Sequence, residues 1–251
     1  MKSATLKRLL WISLSINILL FVGGGAHVLK NRIKAREEAK AVPNWYFRNS
    51  SYWQERKSLF DSLPNEAGEI LFVGDSQTDG CEWRELLGNK LVKNRGIDGD
   101  NTEGVLARLE EITASKPAKI FLEIGTNDLA LKRSLAQIQN DYASILDQIT
   151  KVSPNSILFV QSVLPRYDDP NRKGGVSNDS IVELNKALQR LAVQKGAKYI
   201  DLHSSFVDEN GLLRKKYSLD GVHLNAEGYE IWKKQLLVHI IDTGVAKNAQ
   251  K

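Results

Sequence analysis

The sequence is poor in the residues from which disulfides and metal sites are usually built. Among 251 residues there is one cysteine, Cys81, and there are four histidines. A single cysteine excludes an internal disulfide and a zinc site built on cysteines, and it leaves the redox compartment open. No basic helix interleaved with aromatic residues occurs, and Lys and Arg in the body of the chain alternate with Asp and Glu. The net charge of +5 therefore does not indicate a nucleic-acid partner.

Residues 9–29 form an uncharged apolar run that follows a basic N-terminus, residues 1–8. A helix of this length spans a hydrocarbon core of about 30 Å. We predict a transmembrane anchor, because the run is longer than the apolar centre of a signal peptide, about 7 to 15 residues. A cleaved signal segment is the alternative, with Gly24 and Ala26 as its small cleavage-site residues. Basic residues on both flanks leave the membrane orientation ambiguous.

Either interpretation of residues 9–29 places the following domain outside the cytoplasm, periplasmic or extracellular. The protein is then membrane-anchored, or secreted after cleavage. We expect a juxtamembrane connector over residues 30–65, a folded domain over 66–243 and a C-terminal tail over 244–251. The connector is rich in aromatic residues, which suit a membrane interface or, more commonly, the packing of a helix onto a domain. These are Trp45, Tyr46, Phe47, Tyr52 and Trp53.

From Glu69 onward, short β-rich runs alternate with helical stretches. The runs are EILFVG, KLVKNRG, KIFLEIG, SILFVQS and AKYIDL. The helical stretches are TEGVLARLEEITA, SLAQIQNDYASILDQITK, DSIVELNKALQRLAVQKG and NAEGYEIWKKQLLVHII. This alternation predicts an α/β fold with a parallel sheet of about five strands, covered on both faces.

Polar loops follow four of the predicted strands directly. They are GDSQTDG, GIDGDNT, GTNDLA and SVLPRYDDP. Because ligands of such sheets bind beyond the carboxyl ends of the strands, we expect the four loops to converge on one edge and to form the site.

Ser76, in the first loop, is a candidate nucleophile or only part of a polar turn. A serine becomes nucleophilic when a base takes its proton and a carboxylate orients that base. His223 has Asp220 three positions before it, and His203 has Asp201 two positions before it. The residues alone leave both histidines open as the base.

The loops GDS, GIDGDNT and GTND and the late DGVH resemble, in this order, the four blocks of the SGNH, or GDSL-type, esterase and lipase family. The resemblance covers roughly residues 69–241. The stretches CEWRELL, NRGIDGDNTEGVLARLE and LPR are similar to the platelet-activating-factor acetylhydrolase catalytic-subunit branch. The resemblance to the family implies a flavodoxin-like three-layer sandwich, which the predicted transmembrane helix at residues 9–29 precedes in this chain. The G-x-S-x-G elbow of the α/β-hydrolases does not occur.

By that resemblance Ser76 is the nucleophile, His223 the general base and Asp220 its orienter. The oxyanion hole would consist of the Ser76 and Gly99 backbone N–H groups and the Asn127 side-chain amide. This mechanism requires no metal and no cofactor. Three further predictions concern side chains around the site: Arg166 contacts the substrate, Asp75 and Asp128 bind loop backbone, and Asp98 adds negative charge near the oxyanion.

The implied function is a serine esterase that removes short acyl groups, acetyl first among them, from a carbohydrate or lipid carrier through an acyl-enzyme. An acyltransferase with the same site and a membrane-tethered binding module without activity are the alternatives. The polar and basic loop SVLPRYDDPNRKGGVSND favours a small acyl group on a polar carrier. The expected partners are an ester substrate of small-molecule, glycan or lipid type and the membrane through residues 9–29. A homodimer is compatible with the sequence.

Overall fold

The structure is a computed structural model that describes residues 46–167 and 175–241. All described residues belong to one compact unit. The predicted anchor at 9–29 and the tail at 244–251 lie outside the described residues, so both stay predictions. Within the described parts of the chain, no helix is long and apolar enough to cross a membrane.

Five parallel strands form the central sheet in the order β2-β1-β3-β4-β5. The strands are β1 (Ile70–Gly74), β2 (Val92–Gly96), β3 (Lys119–Glu123), β4 (Ile157–Gln161) and β5 (Lys198–Ile200). Each lies within one of the predicted β-rich runs, which confirms the predicted parallel sheet. In flavodoxin-like sheets of this order, the ligand binds where the order reverses, between β1 and β3.

Ten α-helices lie within the described residues, together with one 3-10 helix at Lys215–Tyr217. The helices that precede β3 are α1 (Ser51–Ser62), α2 (Ser76–Asp79), α3 (Trp83–Leu87), α4 (Thr102–Ala107) and α5 (Leu109–Thr113). The later ones are α6 (Thr126–Ala130), α7 (Leu135–Val152), α8 (Asn178–Gln194), α9 (His203–Phe206) and α10 (Ala226–Ile241).

Helices cover both faces of the sheet, because alternate strand residues point to opposite sides. On one face, Leu71 and Ile120 belong to a buried cluster that also includes residues of α4, α5, α7 and α8. On the other face, the Phe72 and Phe121 rings stack at 4.9 Å and pack with Trp83 of α3 and residues of α10. The strands are thus buried on both sides, and the open ends of the sheet are left for the site.

The stretch predicted as one helix over 102–114 is two helices, which corrects that prediction. The break falls at Arg108, whose φ of −125° and ψ of 20° are not helical. The Arg108 side chain is fully buried, and its guanidinium donates to Asp100 at 2.9 Å. Because the Arg108 side chain is buried in this ion pair, the helix is interrupted within a sequence that otherwise has helical periodicity.

Candidate active site

The four polar loops lie beyond the carboxyl ends of β1 to β4, as predicted. Ser76 is the first residue of α2, and the Asp75 carboxylate caps this helix by accepting the Gln77 N–H at 3.0 Å. Gly74 ends β1, where a side chain would collide with the Glu123 carbonyl and the Thr78 hydroxyl. This packing requires a glycine before the Asp-Ser pair and brings Ser76 directly over the sheet edge.

Ser76, His223 and Asp220 form a continuous hydrogen-bonded line. The Ser76 Oγ lies 3.0 Å from His223 Nε2, and His223 Nδ1 lies 2.7 Å from Asp220 Oδ2. These distances join a hydroxyl, an imidazole and a carboxylate in the order that serine activation requires. The structure therefore brings together the three side chains that the resemblance named.

The Asp220 carboxyl is held in its ionised form. Partial burial raises its pKa, but hydrogen bonds from the His223 ring and from the His223 and Val222 backbone N–H groups outweigh burial and hold the pKa well below its usual range. Both N–H groups bond to Asp220 Oδ1 at 2.8 Å. The turn from Asp220 to His223 thus fixes one carboxylate oxygen with its backbone and leaves the other for the imidazole.

Gln77 is a site residue that the sequence analysis missed. Its side-chain amide donates to the Val222 carbonyl and accepts from the Leu224 N–H at 3.4 Å. The residue next to Ser76 thereby holds both neighbours of His223. No local signal announces this contact, because the partners are separated by 145 and 147 residues.

Gly99 lies in a turn that leaves its N–H available. The turn is closed by the Asp100 N–H, which donates to the Ile97 carbonyl at 3.0 Å, and Gly99 has a φ of +75°, a conformation that favours glycine. The Asn127 amide donates to the Asp100 carbonyl at 2.8 Å, which fixes its orientation and leaves its second N–H. Neither Ser76 nor Gly99 donates its backbone N–H to another residue in the described ranges.

Beneath these donors lie carboxylates that are paired with arginines. Asp100 is fully buried with Arg108. Asp128 accepts the Thr102 N–H at 3.0 Å and pairs with Arg133 at 2.6 Å. The structure places Asp128 on loop backbone, as predicted, and its ion pair was not foreseen.

Asp75 and Glu123 form a buried carboxyl pair without such a counter-ion. Burial, together with the charges of Asp100, Asp98 and Asp128, raises the pKa of Asp75 to about 7. The Gln77 N–H, which donates to this carboxylate, opposes the rise. Burial and then the charge of Asp75 raise the pKa of Glu123 well above its usual value. The Leu164 backbone N–H opposes the rise in the pKa of Glu123. Within the described ranges, no side chain donates a hydrogen bond to Glu123, and Asp75 Oδ2 has no partner. Both carboxyls therefore favour the protonated form more than an exposed carboxyl does.

His203, the rival base, is not placed against Ser76. Its backbone N–H donates to Ser162 Oγ at 2.8 Å, while Asp201 bonds to Ser204 instead of to the His203 ring. Partial burial lowers the pKa of His203. The structure thus pairs the candidate nucleophile with His223.

Arg166 and Asp98 are two further predicted site residues, and the structure shows what holds the backbone of each. The Arg166 backbone is fixed by Asn178, which accepts its N–H and donates to its carbonyl, each at 2.8 Å. Its contact with substrate stays a prediction. Asp98 is exposed, and its N–H donates to Asp79 Oδ2 at 3.2 Å. Among the described residues, no group of three or more His, Cys, Asp or Glu side chains could hold a metal ion.

The sequence matches the model of the GDSL-like Lipase/Acylhydrolase family over residues 72–231. The chain belongs to this family, and it is an ester-hydrolysing serine hydrolase. It is 32% identical over 199 residues to the platelet-activating factor acetylhydrolase IB subunit alpha1 of Rattus norvegicus, which covers 76% of this chain and 83% of the relative.

Solved structures share the fold. A GDSL-like lipase from Bacteroides thetaiotaomicron is similar with a TM-score of 0.66 and 23% identity, over 76% of this chain and 97% of the other. A catalytic mutant of Axe2, an acetylxylan esterase from Geobacillus stearothermophilus, is similar with a TM-score of 0.57 and 18% identity, over 70% of this chain and 95% of the other. At these identities the likeness shows the fold alone.

Proposed function

We propose that the protein hydrolyses short acyl esters, acetyl esters first among them, on a carbohydrate or lipid carrier. The observation that carries the proposal is the hydrogen-bonded line from Ser76 through His223 to Asp220. The rat relative is named an acetylhydrolase and the Geobacillus protein an acetylxylan esterase, and both names support an acetyl ester. The polar loop after β4 supports a polar carrier, since a long acyl chain needs an extended apolar cleft.

In the proposed acylation, Ser76 Oγ attacks the ester carbonyl while His223 Nε2 takes its proton. Asp220 stays ionised and stabilises the imidazolium that forms. The carbonyl oxygen becomes negative and accepts hydrogen bonds from Ser76 N–H, Gly99 N–H and the free Asn127 N–H. The imidazolium then gives its proton to the leaving alcohol oxygen, and the acyl group remains on Ser76.

Water completes the proposed reaction by attacking the acyl-enzyme, with His223 again as the base. The His223 side chain is 49% exposed, so water reaches the imidazole from solvent. A transferase would be revealed by an acylated product that forms when an acceptor sugar is added.

A cavity beside Asp220 has room for a small substrate group. Its volume is about 280 Å³, near the lower end of the range for ligand sites, about 300 to 1,000 Å³. It is lined by Tyr167, Lys215, Ser218, Leu219, Asp220 and Gly221. The Lys215 ammonium lies 4.7 Å from the centroid of the Tyr167 ring, so a cation and an aromatic ring are presented together.

The proposal is tested by hydrolysis of p-nitrophenyl esters of graded chain length and of acetylated sugars by the purified protein. We expect kcat/KM to be highest for the acetyl ester and to fall by about tenfold or more at eight carbons. Ser76→Ala is expected to lower kcat by about a thousandfold or more with an unchanged circular dichroism spectrum. A Ser76→Ala protein that keeps most of its activity contradicts the proposal.

The two histidines provide a matched pair of variants. His223→Ala is expected to abolish turnover, since no other side chain within the described ranges lies at Ser76 Oγ to take its proton. His203→Ala is expected to preserve most of the turnover. The reverse result would transfer the base to His203.

A further inference from the structure

Helix α1 lies outside residues 72–231, which the family model matches, yet its side chains bond to the loops of the site. We propose that Trp53 and Tyr52 of α1 are positioning residues, which hold the Gly99 turn and the Asn127 amide in the geometry that binds the oxyanion. This inference rests on the proposed roles of Gly99 and Asn127. It makes α1 a part of the catalytic apparatus and extends that apparatus beyond the four motifs.

Trp53 reaches the oxyanion donors through Asp100. The Trp53 indole N–H donates to Asp100 Oδ1 at 2.9 Å, and Trp53 itself is only 3% exposed. The same Asp100 closes the Gly99 turn with its N–H and accepts the Asn127 amide with its carbonyl. One buried residue therefore connects α1 to two of the three proposed donors.

Tyr52 reaches the other side of the turn through Asp79. The Asp79 carboxylate accepts the Tyr52 hydroxyl at 2.6 Å and the Arg56 guanidinium at 3.1 Å. It also accepts the N–H of Asp98, the residue before Gly99, at 3.2 Å. Side chains of α1 thus hold both neighbours of the proposed donor Gly99. Asp98 is held through the Asp79 carboxylate, and Asp100 is held through its own carboxylate.

The alternative is that α1 only covers the domain. Trp53 packs in a buried cluster with Phe47, Phe60 and Ile97, so its ring contributes to stability in either case. Positioning and packing differ in the role that they give to the Trp53 indole N–H. An oxyanion donor must be preorganised, and a displacement of about 1 Å is enough to lower the rate. Trp53→Phe removes the N–H and also part of the buried ring, so a second buried tryptophan is needed as a control for the lost packing.

The experiment compares Trp53→Phe with Trp232→Phe in the full chain. Trp232 is a matched control: it is also buried, and its indole N–H donates at 2.8 Å to Oε1 of Gln161, a residue of strand β4 that has no proposed catalytic role. We measure kcat and KM per active site, with sites counted from the burst of p-nitrophenol, and the Kd of a short-chain trifluoromethyl ketone. This compound adds to the serine and imitates the oxyanion.

We expect Trp53→Phe to lower kcat about tenfold with KM within about twofold, and to weaken ketone binding by a similar factor. Trp232→Phe is expected to leave kcat per site unchanged even where it lowers Tm. Equal kcat per site in Trp53→Phe and the wild type would overturn the inference. So would an equal loss in both variants.

Tyr52→Phe provides a second test that does not endanger folding, because Tyr52 is 42% exposed. We expect about a threefold loss of kcat, since Arg56 still holds Asp79. If Trp53→Phe fails to fold, an unchanged kcat in Tyr52→Phe overturns the proposal. A wild-type protein without esterase activity, or an active Ser76→Ala, contradicts the proposed function instead, so the two failures are distinct.

Discussion

Asn127 differs from the other proposed oxyanion donors because its donor is a side chain and can be removed without changing the backbone. One N–H of its amide is used by the Asp100 carbonyl. The second N–H is the one available to a substrate oxygen. Substitution at this residue therefore tests the donor directly.

We expect Asn127→Ala to lower kcat by on the order of a hundredfold, a usual effect of removing one oxyanion donor. Asn127→Asp is expected to lower it further, because a carboxylate repels the developing negative charge. KM should change less than kcat, since the donor strengthens its bond only in the transition state. Steady-state kinetics with a short-chain ester measure both, and a raised KM at unchanged kcat would make Asn127 a substrate-binding residue.

Several individual contacts of the site could not be predicted from the sequence. The spacing of Asp220 and His223 is local, so a turn was enough to suggest their pairing. The partners of Gln77 lie more than a hundred residues away, and the indole of Trp53 meets Asp100 across 47 residues. Such contacts depend on how helices and strands pack in three dimensions. The local sequence pattern carries no information about that packing.

Strands β1 and β3 bring two carboxyls together at the point where the order of the sheet reverses. Gly74 of β1 is paired in register with Glu123 of β3, and Asp75 follows Gly74 directly. Both side chains are buried, with exposures of 1% and 0%. The nucleophile loop thus begins beside two buried carboxyls whose pKa values are raised.

This pair is expected to make stability depend on pH. The folded-state pKa of Glu123 lies above its unfolded value, so its contribution is complete below the unfolded pKa of about 4.3 and is lost as pH rises towards the folded value. Glu123→Gln removes this titration. The free energy of unfolding of the wild type should therefore fall relative to that of the variant as the pH is raised from 5 to 8.

Urea unfolding at the two pH values measures this change, and Glu209→Gln, at an exposed position, is the matched control. The same pH dependence in the wild type and in Glu123→Gln would show that the pKa of Glu123 does not differ between the folded and unfolded states.

At the level of elements, periodicity was a good guide for the sheet and a poor one for the shortest helices. All five strands lie within the predicted β-rich runs, although β2, VKNRG, is mostly polar. The helix predicted over 102–114 is broken at Arg108 by a tertiary ion pair. Helix α1 was expected as part of a connector, and its role at the site became visible only with its contacts to Asp79 and Asp100.

For the molecule as a whole, we predict that residues 9–29 hold the protein in the membrane. The full-length protein is expected in the membrane fraction, because the run is long enough to span the hydrocarbon core. A variant that begins at Val42 is expected to be soluble and active, since it retains α1 and the site. Fractionation followed by an esterase assay checks both expectations. Mature protein whose N-terminal sequence begins at His27 would indicate a cleaved signal instead.

The two edge strands of the sheet, β2 and β5, offer little backbone to another molecule. At β2, Asn94 Oδ1 accepts the Gly96 N–H at 2.7 Å, and Asn94 Nδ2 donates to the carbonyls of Thr78, Asp79 and Cys81. At the opposite edge, β5 has only three residues. Short or covered edges prevent strands of neighbouring molecules from pairing. Folded copies are therefore expected to resist edge-to-edge aggregation even when they are crowded.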